Sequence, residues 1–156
     1  MSRSGGRQLD ETAKNKRMAA YRRLCHERGL RSTVQKRAIL EAVLDLDTHP
    51  TADQVYEVAA RKHPDISRTT VYRALEGFSQ LGLITKACHP GSATRYDRNI
   101  DIHHHLICLR CDAVIDISDT GLDQISIPDT SGFEFEVQDF RVQLRGICGR
   151  CRNKDQ

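Results

Sequence analysis

Two pairs of cysteines, Cys108-x-x-Cys111 and Cys148-x-x-Cys151, constrain the last third of this 156-residue chain more than any hydrophobic pattern in it. A four-residue turn lets two thiolates converge on one ion, and two such turns supply the four sulfurs of a tetrahedral zinc site. The 36 residues between the pairs exceed a compact zinc ribbon, so the ion would staple the end of the segment back to its beginning. Paired disulfides are the alternative. They suit an exported protein, whereas Met1–Arg17 is polar, of mixed charge and unlike an export leader. A cytoplasmic protein with reduced thiols is therefore expected. Structural zinc contributes about 10–16 kcal/mol in small metallo-domains, enough to decide whether some sixty residues fold at all.

The length allows one large domain or two small ones, and no apolar run is long enough to span a bilayer. The net charge of +3 is unevenly spread. Residues 1–88 carry 16 Lys and Arg against 10 Asp and Glu, a net +6, whereas residues 89–156 carry 8 against 11, a net −3. The four paired cysteines and His103, His104 and His105 all lie in the acidic part. A basic segment beside an acidic, ligand-rich one suggests a nucleic-acid binder coupled to a metal-binding module.

Residues 1–14 lack apolar periodicity and read as a flexible tail. Met18, Tyr21, Leu24 and Cys25 recur at helical spacing up to Gly29, and Cys25 reads as a packed core thiol. Ser32 or Thr33 can cap a second helix running to about Leu46. Thr51 and Gln54 form a capping box for a third that ends near His63-Pro64. A fourth helix, Arg68 to Leu81 after the cap Ser67, turns Val71, Leu75, Phe78 and Leu81 inward and presents Arg68, Thr69, Tyr72 and Arg73 together near its N-terminus. Leu83–Ala87, a Pro90-Gly91 turn and Ala93–Tyr96 then read as a two-stranded wing. Helices followed by a hairpin make a winged helix-turn-helix, whose second motif helix enters the major groove of DNA.

From His105 the pattern turns to β: Leu106-Ile107, Ala113–Ile117, the alternation of Phe133, Phe135 and Val137 with polar neighbours, then Val142 and Leu144. Gly121–Ile127 suits a short helix that Pro128 ends early. In an extended segment His103 and His105 point to one side and His104 to the other, so two of the three can share an ion. Asp97, Asp101, Asp112 and Asp116 lie near in sequence. Histidines with carboxylates and no further thiolate suit Fe(II), Mn(II) or Zn(II). His49, in the basic half, would tie the two modules together if it closed the same site. Cys88 falls in the wing turn, where a surface thiol is the plain reading.

The motifs His49-Pro50-Thr51-Ala52-Asp53, Ser67-Arg68-Thr69-Thr70-Val71-Tyr72-Arg73-Ala74-Leu75, His103-x-His105-x-x-Cys108-x-x-Cys111 and Cys148-x-x-Cys151 together resemble the ferric uptake regulator (Fur) family over residues 15–151. The resemblance implies a homodimeric winged-helix repressor, a structural zinc on Cys108, Cys111, Cys148 and Cys151, and a regulatory metal. The peroxide-responsive branch uses three His and two Asp, matched here by His49, Asp97, His103, His105 and Asp116. Iron-uptake members carry Glu at the place of Asp97 and a second site with histidines where Ile102 and Phe140 stand; that site looks dismantled, with His104 left. Zinc-sensing members add a cysteine shortly before the His cluster, and none occurs between Cys88 and Cys108. Arg31 occupies the place of a minor-groove contact.

The sequence thus predicts an α+β protein: a flexible tail over 1–14, a winged helix-turn-helix DNA-binding domain over 15–96, and a small α/β dimerisation and metal-binding domain over 97–156. The expected function is repression of transcription with Fe(II) or Mn(II) as corepressor, relieved when peroxide oxidises a ligand histidine. Thr69, Tyr72 and Arg73 would reach base edges and Arg68 phosphates of a double-stranded operator, an inverted repeat. Regulation of iron, zinc or manganese uptake is the alternative within the family. A small non-heme iron enzyme is the alternative outside it, against which the acidic segment offers little room for a substrate pocket.

Overall fold

A computed structural model describes residues 2–3, 9–47, 49–87 and 93–155. The chain divides into two compact units, Arg7–Ile100 and Met1–Gly6 with Asp101–Gln156.

Among the described residues the first unit holds four helices and a hairpin: α1 (Glu11–Glu27), α2 (Val34–Asp45), α3 (Ala52–Lys62), α4 (Arg68–Gln80), β2 (Thr85–Ala87) and β3 (Arg95–Asp97), the two strands antiparallel. Each helix starts on a side-chain cap: Asp10, Thr33, Thr51 and Ser67 accept amides of the first turn, and Thr51 with Gln54 completes the capping box. Two helices end alike. Gly29 and Gly82 have φ of +64° and +70°, and the amide after each reaches back to a carbonyl five residues earlier, Leu30 to Cys25 at 2.8 Å and Leu83 to Phe78 at 2.9 Å. A side chain at either glycine would strain that left-handed cap. Tyr21, Ile39, Leu40, Val43, Val55, Ile66, Val71, Leu75, Phe78 and Ile84 form the core, with the Tyr21 and Phe78 rings edge to face at 5.4 Å. Cys25 is packed among them.

The second unit is a four-stranded sheet in the order β1 (Ser2–Arg3), β5 (Val114–Ser118), β4 (His104–Cys108), β6 (Gln143–Gly146). Strand β4 runs antiparallel to β5 and parallel to β6. Short helices α5 (Thr120–Asp123) and α6 (Gly149–Arg152) follow β5 and β6.

The structure alters four local expectations. Helix α1 begins within the supposed tail of residues 1–14, because Asp10 accepts the Ala13 amide at 2.7 Å and the Lys14 amine pairs with Asp45 at 2.6 Å and Glu41 at 3.3 Å; Ser2–Arg3 pairs with Ile117–Ser118. The unit boundary falls after Ile100 rather than at 96/97: Asp97 pairs with Thr85 in the hairpin, and Arg98 donates to the Leu44 carbonyl at 2.7 Å while its own carbonyl accepts from Arg17 at 2.8 Å. The alternating segment from Phe133 forms no strand. Ser131–Phe133 is a 3-10 turn, Glu134 turns left-handed at φ 52°, and Phe133 and Phe135 stand 83% and 63% exposed, since alternation yields a strand only where a neighbour offers a ladder. Helix α5 stops at Asp123, before Pro128 could end it. The Pro90-Gly91 turn and Cys88 lie outside the described residues.

Candidate metal centres

The cysteine centre is contained in the second unit. Cys108 ends β4, and the chain turns at once: the Asp112 amide donates to the Cys108 carbonyl at 3.0 Å, the Cys108 amide to the Ala113 carbonyl at 2.9 Å, and Asp112 takes a φ of 52°. Aspartate tolerates that left-handed position better than most residues. Strand β6 lies alongside, so that Leu109 donates to the Gly146 carbonyl at 2.8 Å and Cys148 arrives opposite the first pair. All four thiols are free, and their sulfurs lie within 4.8 Å of one another, with Cys111 Sγ and Cys148 Sγ 3.8 Å apart. Four zinc–sulfur bonds of about 2.3 Å in a tetrahedron put sulfurs about 3.8 Å apart, so the cage fits such an ion.

Local donors prepare the thiols unequally. The amides of Cys148, Arg110 and Cys111 bring the Cys108 thiol down to about 6, and the Ala113 amide lowers Cys111. Cys151 is pushed up to about 12 by hydrogen bonding with the Cys111 and Cys148 sulfurs and by burial. Three close thiolates disfavour a fourth until a cation joins them.

The histidine and aspartate residues form two groups, one in each unit. In the second unit His105 on β4 stands opposite Asp116 on β5, so the pleat turns both to one face, and His103, two residues before His105, shares it. The His103 and His105 Nε2 atoms are 2.9 Å apart, and each lies 3.5 Å from Asp116 Oδ1. His103 Nδ1 is 2.7 Å from the Asp101 carbonyl. As donor there, it leaves Nε2 with its lone pair toward the cluster.

In the first unit His49 follows α2, and β3 carries Asp97; His49 Nε2 and Asp97 Oδ2 are 3.3 Å apart and both side chains are buried. The loop and the strand are laced together. Arg95 donates to the His49 carbonyl at 3.0 Å, and the Tyr96 amide to the Pro50 carbonyl at 2.9 Å. The Asn99 amide holds Asp97 Oδ1 at 2.7 Å, which leaves Oδ2 toward His49.

His104 points to the other face, as alternation requires, and is fully buried. Its Nδ1 accepts the Val142 amide at 3.1 Å, so its Nε2 donates to Asp123 Oδ1 at 3.1 Å; Phe140 stacks on the ring at 5.9 Å. With both nitrogens engaged by protein, His104 serves packing here. Ile102 is exposed. Sequence reasoning missed Arg95 and Asn99, whose roles follow from chain crossings that carry no local pattern. It also missed Arg110 and Arg150 beside the thiols, although each is the third residue of its Cys-x-x-Cys motif.

On α4, Arg68, Thr69, Tyr72 and Arg73 form an exposed face opposite buried Val71, Ala74, Leu75 and Phe78; Arg31 is also exposed. Arg68 is engaged within the unit, paired with Asp53 and lying 4.5 Å over the Tyr56 ring. Any phosphate contact by Arg68 would compete with that pair. Among the described residues no helix is long and apolar enough to cross a membrane.

Known proteins resemble this chain over most of its length. Residues 27–145 match the model of the Ferric uptake regulator family. The Staphylococcus aureus (strain Mu50) peroxide-responsive repressor PerR is 32% identical over 126 residues, covering 81% of this chain and 85% of that protein. A zinc-bound manganese uptake regulator superposes with a TM-score of 0.62 at 28% identity, over 81% of this chain and 97% of that one. The Helicobacter pylori ferric uptake regulator superposes over 97% of both chains with a TM-score of 0.76; at 18% identity that likeness concerns the fold alone. With the family model spanning both units, the chain belongs to the Ferric uptake regulator family and is a metal-responsive transcriptional regulator, not an enzyme.

Proposed function

We propose that the protein is a cytoplasmic, homodimeric repressor that binds a double-stranded DNA operator when Fe(II) or Mn(II) is bound, and releases it after peroxide oxidises the iron-loaded site. In this reading His49 and Asp97 of one unit and His103, His105 and Asp116 of the other ligate one ion, while Cys108, Cys111, Cys148 and Cys151 hold structural Zn(II). The observation that carries the reading is the donor set: three imidazoles and two short carboxylates without sulfur, each group pre-set by its own backbone contacts. Nitrogen and oxygen ligands suit Fe(II) and Mn(II), and five of them leave a position for a small oxidant. The likeness to a peroxide-responsive repressor at 32% identity supports the same branch.

Bound iron would supply the electrons that open the peroxide O–O bond, which manganese does far less readily. The protein supplies the target. A net step that inserts one oxygen atom into an imidazole C–H of His49 or His103 consumes one peroxide and releases one water. The altered ring is a poor ligand, so the link between units through the ion is lost. Residues 101–156 would provide the dimer contact. Thr69, Tyr72 and Arg73 would read bases of an inverted repeat, with Arg68 and Arg31 on the backbone and minor groove.

The test selects binding duplexes from a random DNA library with Mn(II)-loaded protein, then measures their affinity for Mn(II) and Fe(II) forms before and after peroxide. Peroxide should abolish binding by the iron form alone and add one oxygen to a peptide containing His49 or His103. Unchanged peptide masses with unchanged affinity would sink the peroxide reading. Such a result would favour a metal-uptake regulator of the same family, the reading supported by the manganese uptake regulator neighbour.

A further inference from the structure

Both cysteine pairs carry arginine at the third position, Cys108-Leu109-Arg110-Cys111 and Cys148-Gly149-Arg150-Cys151. The two side chains cross. Arg110 donates from Nη1 to the carbonyl of Cys151 at 3.1 Å, and Arg150 reaches from Nη2 to the Cys111 sulfur at 3.7 Å. Each motif therefore ends in a cysteine gripped by the arginine of the other. We propose that Arg110 and Arg150 are a reciprocal clasp that holds the two zinc-binding turns together, offsets the charge of the metal centre, and so governs how slowly zinc leaves it. The proposal rests on the zinc reading of the four thiols.

The charge argument is simple. Zn(II) with four thiolates carries a net −2, and two guanidiniums bring the cluster to neutrality. A hydrogen bond to a ligating sulfur lowers its basicity, so protons and competing metal binders take it less readily. Arg110 acts differently, by fixing the second turn through a backbone carbonyl. Both side chains are exposed, so their removal leaves no cavity. Both contacts lie at the sulfur centre, where their influence is expected.

The experiment follows zinc transfer from the full-length protein to 4-(2-pyridylazo)resorcinol in excess at fixed pH, for wild type, Arg150→Gln, Arg150→Lys, Arg110→Gln and the double Gln variant. Metal analysis beforehand should give one zinc per chain, and a zinc-free wild type would overturn the underlying reading and the proposal with it. Release should quicken about 10-fold in each single Gln variant and more in the double, within the range found for outer contacts of metal ligands. Arg150→Lys, which keeps the charge, should stay near wild type. The Arg150→Gln effect should shrink as salt rises, because screening replaces what the guanidinium supplied; a purely steric role would not respond to salt. Isolation of Arg150→Gln without zinc while Arg150→Lys retains it would also support the clasp. Zinc-loaded Gln variants that release at the wild-type rate would overturn it, as would equal loss from the Gln and Lys variants.

Discussion

The cysteine cage and the two groups of histidine and aspartate are built in opposite ways. All four sulfurs come from one unit, on two turns that a single sheet brings together, and arginine side chains and backbone amides surround them. The histidine and aspartate donors are divided, two on the helical unit and three on the sheet, and each group is braced by its own unit. A centre closed within one unit ties metal affinity to folding of that unit. In the proposed function, an ion held by donors from both units would tie metal affinity to regulation.

The largest expected effect tests the first half of that contrast. Stripping zinc, or Cys148→Ser, should remove stabilisation on the order of 10–16 kcal/mol from the sheet unit. Limited proteolysis should then cut within residues 101–156, while the helical unit keeps its helical circular dichroism. Uniform protection would break the comparison. Next, His103→Ala or Asp116→Asn should weaken Mn(II)-dependent DNA binding by about 100-fold or more, a ligand mattering at least as much as its outer contacts, with zinc content unchanged. Loss of zinc in either variant would show that the centres are not separate. Arg95→Ala, which removes the Arg95 donor from the His49 carbonyl, should raise the Mn(II) concentration needed by about 10-fold, read by titration.

The smallest effect concerns the helical unit alone. Burial of Glu41 works against its charge, but Lys62 and Lys14 outweigh it and hold the carboxyl below the usual 4.5. A depressed carboxylate stabilises the fold above its unfolded value, and that contribution is lost as pH falls through the folded one. Lys14 is shifted the other way: burial opposes its charge, Asp45 and Glu41 prevail, and it stays charged above 10.5. Its share is full below that value and fades as pH rises through the folded one. Glu41→Gln should cost about 0.5 kcal/mol in urea unfolding at pH 7 and almost nothing at pH 3. An equal cost at both values would mean that the charges are irrelevant.

Much of the helical unit was legible because its signals are local. Caps at Thr33, Thr51 and Ser67 and the stop at Gly29 act within one turn of the chain. The sheet unit was less so. Alternation from Phe133 to Val137 satisfies the strand period, yet a strand also needs a partner, and that is a long-range fact. For the same reason Asp97 reads from its place near the histidines as part of the second domain, whereas it is bonded into the hairpin with Thr85.

The sequence by itself determined the ligand chemistry: sulfur at two four-residue spacings, imidazole on alternate residues, and a winged-helix pattern with an exposed basic helix face. These are properties of residue type and short spacing, which the chain carries before it folds. Tertiary structure decided which residues support the ligands. The register of β4 against β5 sets Asp116 opposite His105, the Val142 amide and Asp123 commit His104 to packing, and the approach of β6 to β4 brings Arg150 to the sulfur of Cys111. Such contacts join residues as far as 39 positions apart, and only the folded sheet brings them within bonding distance.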